Sequence, residues 1–87
     1  MPYIIGSYRV QDYAQWKRVF AEGAAWRQDR GVTSEQYFRN PQDRNNLVVL
    51  FEGEDVEELR YLWLSEEARQ RRQRAGTLAE TLYVPEG

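Results

Sequence analysis

The chain contains no cysteine and no histidine, and only one methionine and three prolines among its 87 residues. Without cysteine there is no disulfide, no thiol nucleophile and none of the usual structural zinc sites. Without histidine the chain lacks the side chain that most readily exchanges protons near neutrality and most often ligates transition metals or haem iron. A Ser-His-Asp triad is excluded, so any catalysis must use Asp, Glu, Lys, Arg or Tyr, a backbone donor, or the reactivity of the substrate itself. No apolar run approaches the roughly 18 residues of a membrane-spanning helix. Met1-Pro2-Tyr3-Ile4-Ile5 leads into strand-like residues rather than a signal-peptide core, and the expected location is the cytoplasm. A formal charge of −2, from 14 acidic and 12 basic residues, gives little long-range attraction to nucleic acid or an anionic membrane, and neither is expected as a partner. No phosphate loop, dinucleotide fingerprint or paired-carboxylate spacing is present, and no cofactor or metal is expected.

What the chain does have is the run Leu47-Val48-Val49-Leu50-Phe51. A strand alternates its side chains between two faces, and this one is apolar on both, so both faces must be covered. In a small α+β domain the helices cover one face of an antiparallel sheet. A chain of 87 residues, read as one domain over 1–87, has no further layer to offer the other. The economical cover is a second copy, sheet against sheet, and a homodimer is expected.

Tyr3 to Val10 reads as a first strand. Asp12 with Gln15 forms a capping box that opens a helix running to about Arg30, with Gly31 as its stop. Thr33 to Arg39 is a second strand, Asn40 to Asn46 a polar turn, and Leu47 to Glu52 a third strand, the two forming a hairpin. Asp55 with Glu58 repeats the capping pattern and starts a helix through Val56, Leu59 and Trp63. Ser65, followed by Glu66 and Glu67, marks a second N-terminus, so this helix is expected to break or kink near Leu64 before continuing to Ala75 and stopping at Gly76. Leu78 to Val84 is the last strand, ended by Pro85. The order β-α-β-β-α-β suits an α+β, ferredoxin-like fold: a four-stranded antiparallel sheet with both helices on one face.

At about 100° per residue, Trp16, Phe20, Gly23 and Arg27 share one stripe of the first helix, with Tyr13, Val19 and Ala24 beside it. Gly23 in mid-helix costs about 1 kcal/mol relative to Ala, explained by close packing or by room for a ligand. Arg27 needs acceptors or an anion. Either its head reaches solvent or a carboxylate such as Glu52 or Glu80, or it meets an anionic or enolate-bearing ligand. Trp16, Trp63, Tyr8 and Tyr37 either line an aromatic pocket suited to planar phenolic or polyketide molecules or simply fill the core. Trp26, at the stripe's edge, reads as packing or dimer contact. Arg69-Gln70-Arg71-Arg72-Gln73-Arg74 reads as a solvated helix end facing the negative end of the dipole, and Glu57, Glu58, Glu66 and Glu67 as charges in first turns.

The segment Asp12-Tyr13-Ala14-Gln15-Trp16-Lys17-Arg18-Val19-Phe20 with Arg27 and Gly31, then Tyr37-Phe38-Arg39-Asn40, then Leu47 to Glu52 and a helix ending at Ala75-Gly76, resembles the dimeric α/β-barrel superfamily. More narrowly, it is similar to small stand-alone proteins related to antibiotic-biosynthesis monooxygenases. The resemblance implies two sheets meeting in a barrel and a pocket in each subunit between its own sheet and helices. The superfamily spans cofactor-independent oxygenases, haem-degrading enzymes, polyketide cyclases, lactone isomerases and proteins with no known activity, so fold alone does not choose among them. Haem binding and aldol-type cyclisation typically rest on a histidine that this chain lacks. Tyr8 stands where relatives often carry a first-strand histidine. As an enzyme, the chain is expected to carry out cofactor-independent oxygenation or a related rearrangement of a planar aromatic or polyketide-like metabolite. Arg27 and Tyr8 are the catalytic candidates, stabilising a substrate anion; Trp16, Phe20, Gly23, Tyr37 and Trp63 are the substrate-binding ones. The alternatives are a non-catalytic binding or dimerisation module, or a non-redox cyclase or isomerase of the same fold.

Overall fold

Eight elements follow one another in the computed structural model, which describes residues 2–86. They are β1 (Tyr3–Val10), α1 (Tyr13–Glu22), α2 (Ala24–Asp29), β2 (Val32–Asn40), β3 (Asp43–Gly53), α3 (Val56–Leu64), α4 (Glu66–Arg74) and β4 (Thr77–Tyr83). The strands form one antiparallel sheet in the order β2-β3-β1-β4, so the α+β, ferredoxin-like arrangement expected from the sequence is the one observed.

Each helical segment is broken into two. The break at Ser65 follows the sequence: its backbone is extended, its Oγ accepts from the Ala68 N–H at 3.2 Å, and its hydroxyl donates to the Leu62 carbonyl at 2.7 Å. The break at Gly23 corrects the expectation of one continuous helix to Arg30. Gly23 is the C-cap of α1 and the N-cap of α2, at φ −89° and ψ 0°. The residue with the weakest helical preference short of proline is where the chain changes direction. Asp12 and Asp55 cap as expected, accepting from the N–H groups of Ala14 and Glu57 at 3.1 and 3.0 Å. Gln15 does not complete its capping box; its amide donates to the Arg74 carbonyl at 3.1 Å and ties α1 to the end of α4. Gly31 and Gly76, at φ 107° and 82°, take the left-handed conformation that closes each helical segment.

The β2–β3 hairpin is tighter than the expected Asn40–Asn46 turn. Asn40 pairs with Asp43, leaving Pro41-Gln42 at the tip, and the polar residues before Leu47 continue the strand. Ile4, Tyr8 and Val10 of β1 and Leu47, Val49 and Phe51 of β3 are buried under the helices with Trp16, Val19, Leu59 and Trp63. On the opposite face Ile5, Val48 and Leu50 are partly buried by their sheet neighbours, while Phe38 and Tyr83 are 53% and 55% exposed. Both faces of β3 are therefore apolar in three dimensions, and the helices cover one of them.

Gly53 shows how closely the backbones approach where the helices meet β3. A Cβ there would lie 2.5 Å from the Gly31 carbonyl oxygen and 3.0 Å from Leu59 Cδ2. Backbone cannot yield as a flexible side chain does. Gly53→Ala is expected to lower the free energy of denaturant unfolding by about 1–3 kcal/mol; an unchanged midpoint would show that this junction is slack.

Candidate functional site

The site is built outward from Tyr8. Tyr8 points from β1 toward the helices, and so does Gly6 two residues earlier, whose partner across the strand pair is Val49. A Cβ on Gly6 would collide with the Tyr8 hydroxyl and come within 3.0 Å of Trp63 Nε1, so the bare glycine is the seat of this pair. Trp63 Nε1 donates to the Tyr8 hydroxyl at 3.1 Å. The Tyr8 O–H itself donates to no acceptor among the described residues. Burial pushes the Tyr8 pKa up to about 12, against a smaller lowering by the Trp63 hydrogen bond. The hydroxyl is therefore a neutral donor at physiological pH and not a base.

This has a measurable sign. A group with a raised folded-state pKa favours folding below its unfolded value, and that contribution is lost as pH rises through the window from about 10 to about 12. Tyr8→Phe is expected to remove this alkaline loss. It should also cost about 1–3 kcal/mol at neutral pH, because the buried Trp63 N–H loses its acceptor. Urea unfolding at neutral and alkaline pH checks both; an unchanged slope of stability against pH would show that Tyr8 does not carry it.

Arg27, on α2, is buried and paired, but not with Glu52 or Glu80. Its Nε donates to Glu35 Oε2 and its Nη2 to Glu35 Oε1, each at 2.8 Å, and Nη2 also reaches the Phe20 carbonyl at 2.8 Å. Glu35 lies on β2 opposite Phe51, on the helix side of the sheet. The guanidinium also lies over the Phe20 ring, 3.8 Å from its centroid. Nη1 remains without a hydrogen bond among the described residues and faces Gly23. The fork is thus held on one side by a carboxylate and offers its other side to the cavity.

The cavity is about 70 Å³, against the roughly 10–15 Å³ that one enclosed water requires. It lies between sheet and helices, with a mostly apolar lining that includes Tyr8, Trp16, Phe20, Gly23, Arg27 and Trp63. Six of the seven sequence candidates therefore meet in one space. Trp16 stacks on Phe20 with centroids 4.7 Å apart. The seventh, Tyr37, is 38% exposed on the edge strand and is not part of the lining. It braces the wall from behind, edge-on to Trp16 and Phe20 at 5.4 and 5.8 Å.

Three further residues with polar side-chain atoms enter the lining. Trp26, read as packing or dimer contact, lines the cavity, and its Nε1 is buried without a partner. Arg71 and Arg72, read as part of a solvated helix end, line it too. Arg72 is engaged at Nε and Nη1: Nε donates to Glu80 and Nη1 to the Trp63 carbonyl, at 2.8 and 2.7 Å, and the guanidinium lies 3.8 Å from the Trp63 ring centroid. Arg71 stacks 4.5 Å from the Trp26 centroid, and its Nε is buried without a partner. A signal for these arginines exists in the sequence. Ala68, Arg71, Arg72 and Ala75 fall at i, i+3, i+4 and i+7, the inward stripe of a helix, with arginines in two of its positions. Among the described residues no cluster of His, Cys, Asp or Glu is placed to hold a metal ion.

No family model matches the sequence, and no curated protein matches it. Solved structures do match. A protein described as an antibiotic biosynthesis monooxygenase superimposes with a TM-score of 0.73 at 16% identity, over 100% of this chain and 98% of that one. The chain shares the fold of that protein. SnoaB, described as a cofactor-independent oxygenase from Streptomyces nogalater, matches with a TM-score of 0.73 at 17% identity, over 98% of this chain and 92% of its own. Likeness at this level of identity extends to the fold; the chemistry must be argued from the side chains. Among the described residues no helix is long and apolar enough to cross a membrane.

Proposed function

We propose that the chain is one subunit of a cytoplasmic homodimer that binds a planar aromatic or polyketide-like metabolite in its cavity and acts on it as a cofactor-independent oxygenase. The observation that carries this reading is the aromatic-walled cavity with donors facing inward: the neutral Tyr8 hydroxyl and Arg27 Nη1. The wall matches a flat, apolar ligand and excludes water, while the donors match an oxyanion. The acidic groups bonded to lining residues, Glu35 and Glu80, are held by Arg27 and Arg72, and Tyr8 is no base. The substrate therefore enters already ionised. The enolate, formed when a ring methylene gives up one proton in solution, then reduces dioxygen itself: the carbon takes one oxygen atom as a carbonyl, and the second oxygen leaves as hydroxide with the carbon's remaining hydrogen. Arg27 and Tyr8 hold the anion, and Trp16 and Trp63 keep the site dry.

The second copy in this reading covers the open sheet face with Ile5, Val48, Leu50, Phe38 and Tyr83 at its centre. The Arg27–Glu35 pair favours a second reading, a binding module without catalysis, because a satisfied guanidinium serves structure as well as chemistry. Dioxygen uptake with a panel of ionised phenols and polyketide-like compounds decides between them. Uptake matched one to one by oxygenated product supports the oxygenase. Binding without uptake supports the module, and the absence of binding by any compound overturns both.

A further inference from the structure

The small-molecule reading uses Arg27 Nη1 but leaves unexplained the donors that lie beside it at the end of the cavity where α1 passes into α2. A Cβ on Gly23 would lie 2.8 Å from Arg27 Nη1 and 3.3 Å from Arg71 Nη1. Two guanidinium groups from different helices thus converge on the one backbone position in the lining that presents no side chain to them. Like charges brought together beside a mostly apolar lining repel, and an anion between them relieves that repulsion. Arg27 has Glu35 and Arg72 has Glu80, but Arg71 has no salt bridge among the described residues. Its Nε is buried without a hydrogen-bond partner, and so is the Nε1 of Trp26, the indole on which it stacks. Arg30, on the same indole at 5.0 Å, is paired with Glu67 at 3.6 Å and does not contribute to the imbalance.

We infer that Gly23, Trp26, Arg27 and Arg71 form an anion subsite that takes the carboxylate of a planar aromatic acid. The ligand class follows from three counts. The lining has one cation without a carboxylate, which matches a singly charged head group rather than a phosphate dianion. Every free polar group there is a donor, which matches an acceptor-only head group. The cradle is set in aromatic walls, so the anion is a substituent on a flat apolar body. Tyr8 and Trp63 lie elsewhere in the lining, and the carboxylate subsite orients the ligand with its far portion toward them. This inference rests on the small-molecule reading of the cavity and specifies the compound it selects.

The test is calorimetric titration with 2-naphthoate and its neutral isostere 2-naphthamide. The parent protein is expected to bind the carboxylate at least tenfold more tightly. Arg71→Gln should abolish that preference while leaving the amide's affinity within a factor of about two. Arg71→Lys should restore part of it, since a point charge replaces the planar fork. Gly23→Ala is an independent variant: its backbone conformation suits alanine, the methyl occupies the cradle, and it too should erase the preference while the protein remains folded by circular dichroism. Equal affinities of the parent for the two compounds would overturn the carboxylate subsite. A preference that persists in Arg71→Gln would overturn the assignment to Arg71. Failure of both compounds to bind would instead overturn the small-molecule reading beneath it.

Discussion

Val49→Asp is expected to abolish folding, and Leu50→Asp to leave a folded chain that no longer associates. The two residues are neighbours on β3 but face opposite layers. Val49 is 0% exposed and lies among the side chains under the helices. A carboxylate there has no partner, and its burial costs more than 4–5 kcal/mol, on the order of the whole stability of a small domain. Leu50 sits between Ile5 and Gln36 on the open face and is partly buried in the single chain. In that chain an aspartate can reach water, whereas in the proposed sheet-to-sheet interface it is buried against the apolar face of the second copy. Circular dichroism with sedimentation velocity reads both: no cooperative transition for Val49→Asp, and a native spectrum with monomer sedimentation for Leu50→Asp. A Leu50→Asp variant that remains a dimer would place the interface on another surface.

Arg27→Met carries the second large effect, because it changes stability and binding through different atoms. It strands the Glu35 carboxylate, which loses both of its 2.8 Å bonds, and it removes a donor to the Phe20 carbonyl. Glu35 is 23% exposed at its side chain, so solvent repays part of the loss and the net destabilisation is expected at about 1–3 kcal/mol. Adding Glu35→Gln should recover most of that stability. Binding should not recover: loss of the charged Nη1 donor weakens anionic aromatics by about 1.5–3 kcal/mol in single and double variants alike. Arg27→Lys should rescue binding only in part, since the bidentate fork is gone. Thermal unfolding beside calorimetry separates the two. If the double variant regains stability and ligand affinity together, Arg27 serves the fold alone.

Much of the fold was legible because its signals are local. The bounds of β1, the caps at Asp12, Asp55 and Ser65, the stops at Gly31 and Gly76 and the two apolar faces of β3 each follow from a few adjacent residues. The stripe of Trp16, Phe20, Gly23 and Arg27 placed much of the site for the same reason. What sequence reasoning missed depends on contacts between distant elements. Glu35 as the partner of Arg27 follows from the β2–β3 register, which sets Glu35 opposite Phe51. The turn at Gly23 carries Trp26 into the lining, where a continuous helix left it at the edge. Ser65 restarts the helical phase, and only in that phase do Arg71 and Arg72 point inward with Ala68 and Ala75. Six basic or amide side chains in a row concealed it.

All three tryptophans of the chain line the cavity, and each carries one indole N–H. Trp63 donates its N–H to Tyr8, and the Trp26 N–H is buried and unpartnered. A proton–nitrogen NMR correlation spectrum therefore reports directly on whether the cavity is a ligand site. Titration with 2-naphthoate is expected to shift all three indole signals with one saturating curve, the Trp26 signal moving downfield as its N–H gains an acceptor. Saturable shifts confined to backbone amides outside the cavity, with the three indole signals unmoved, would contradict it.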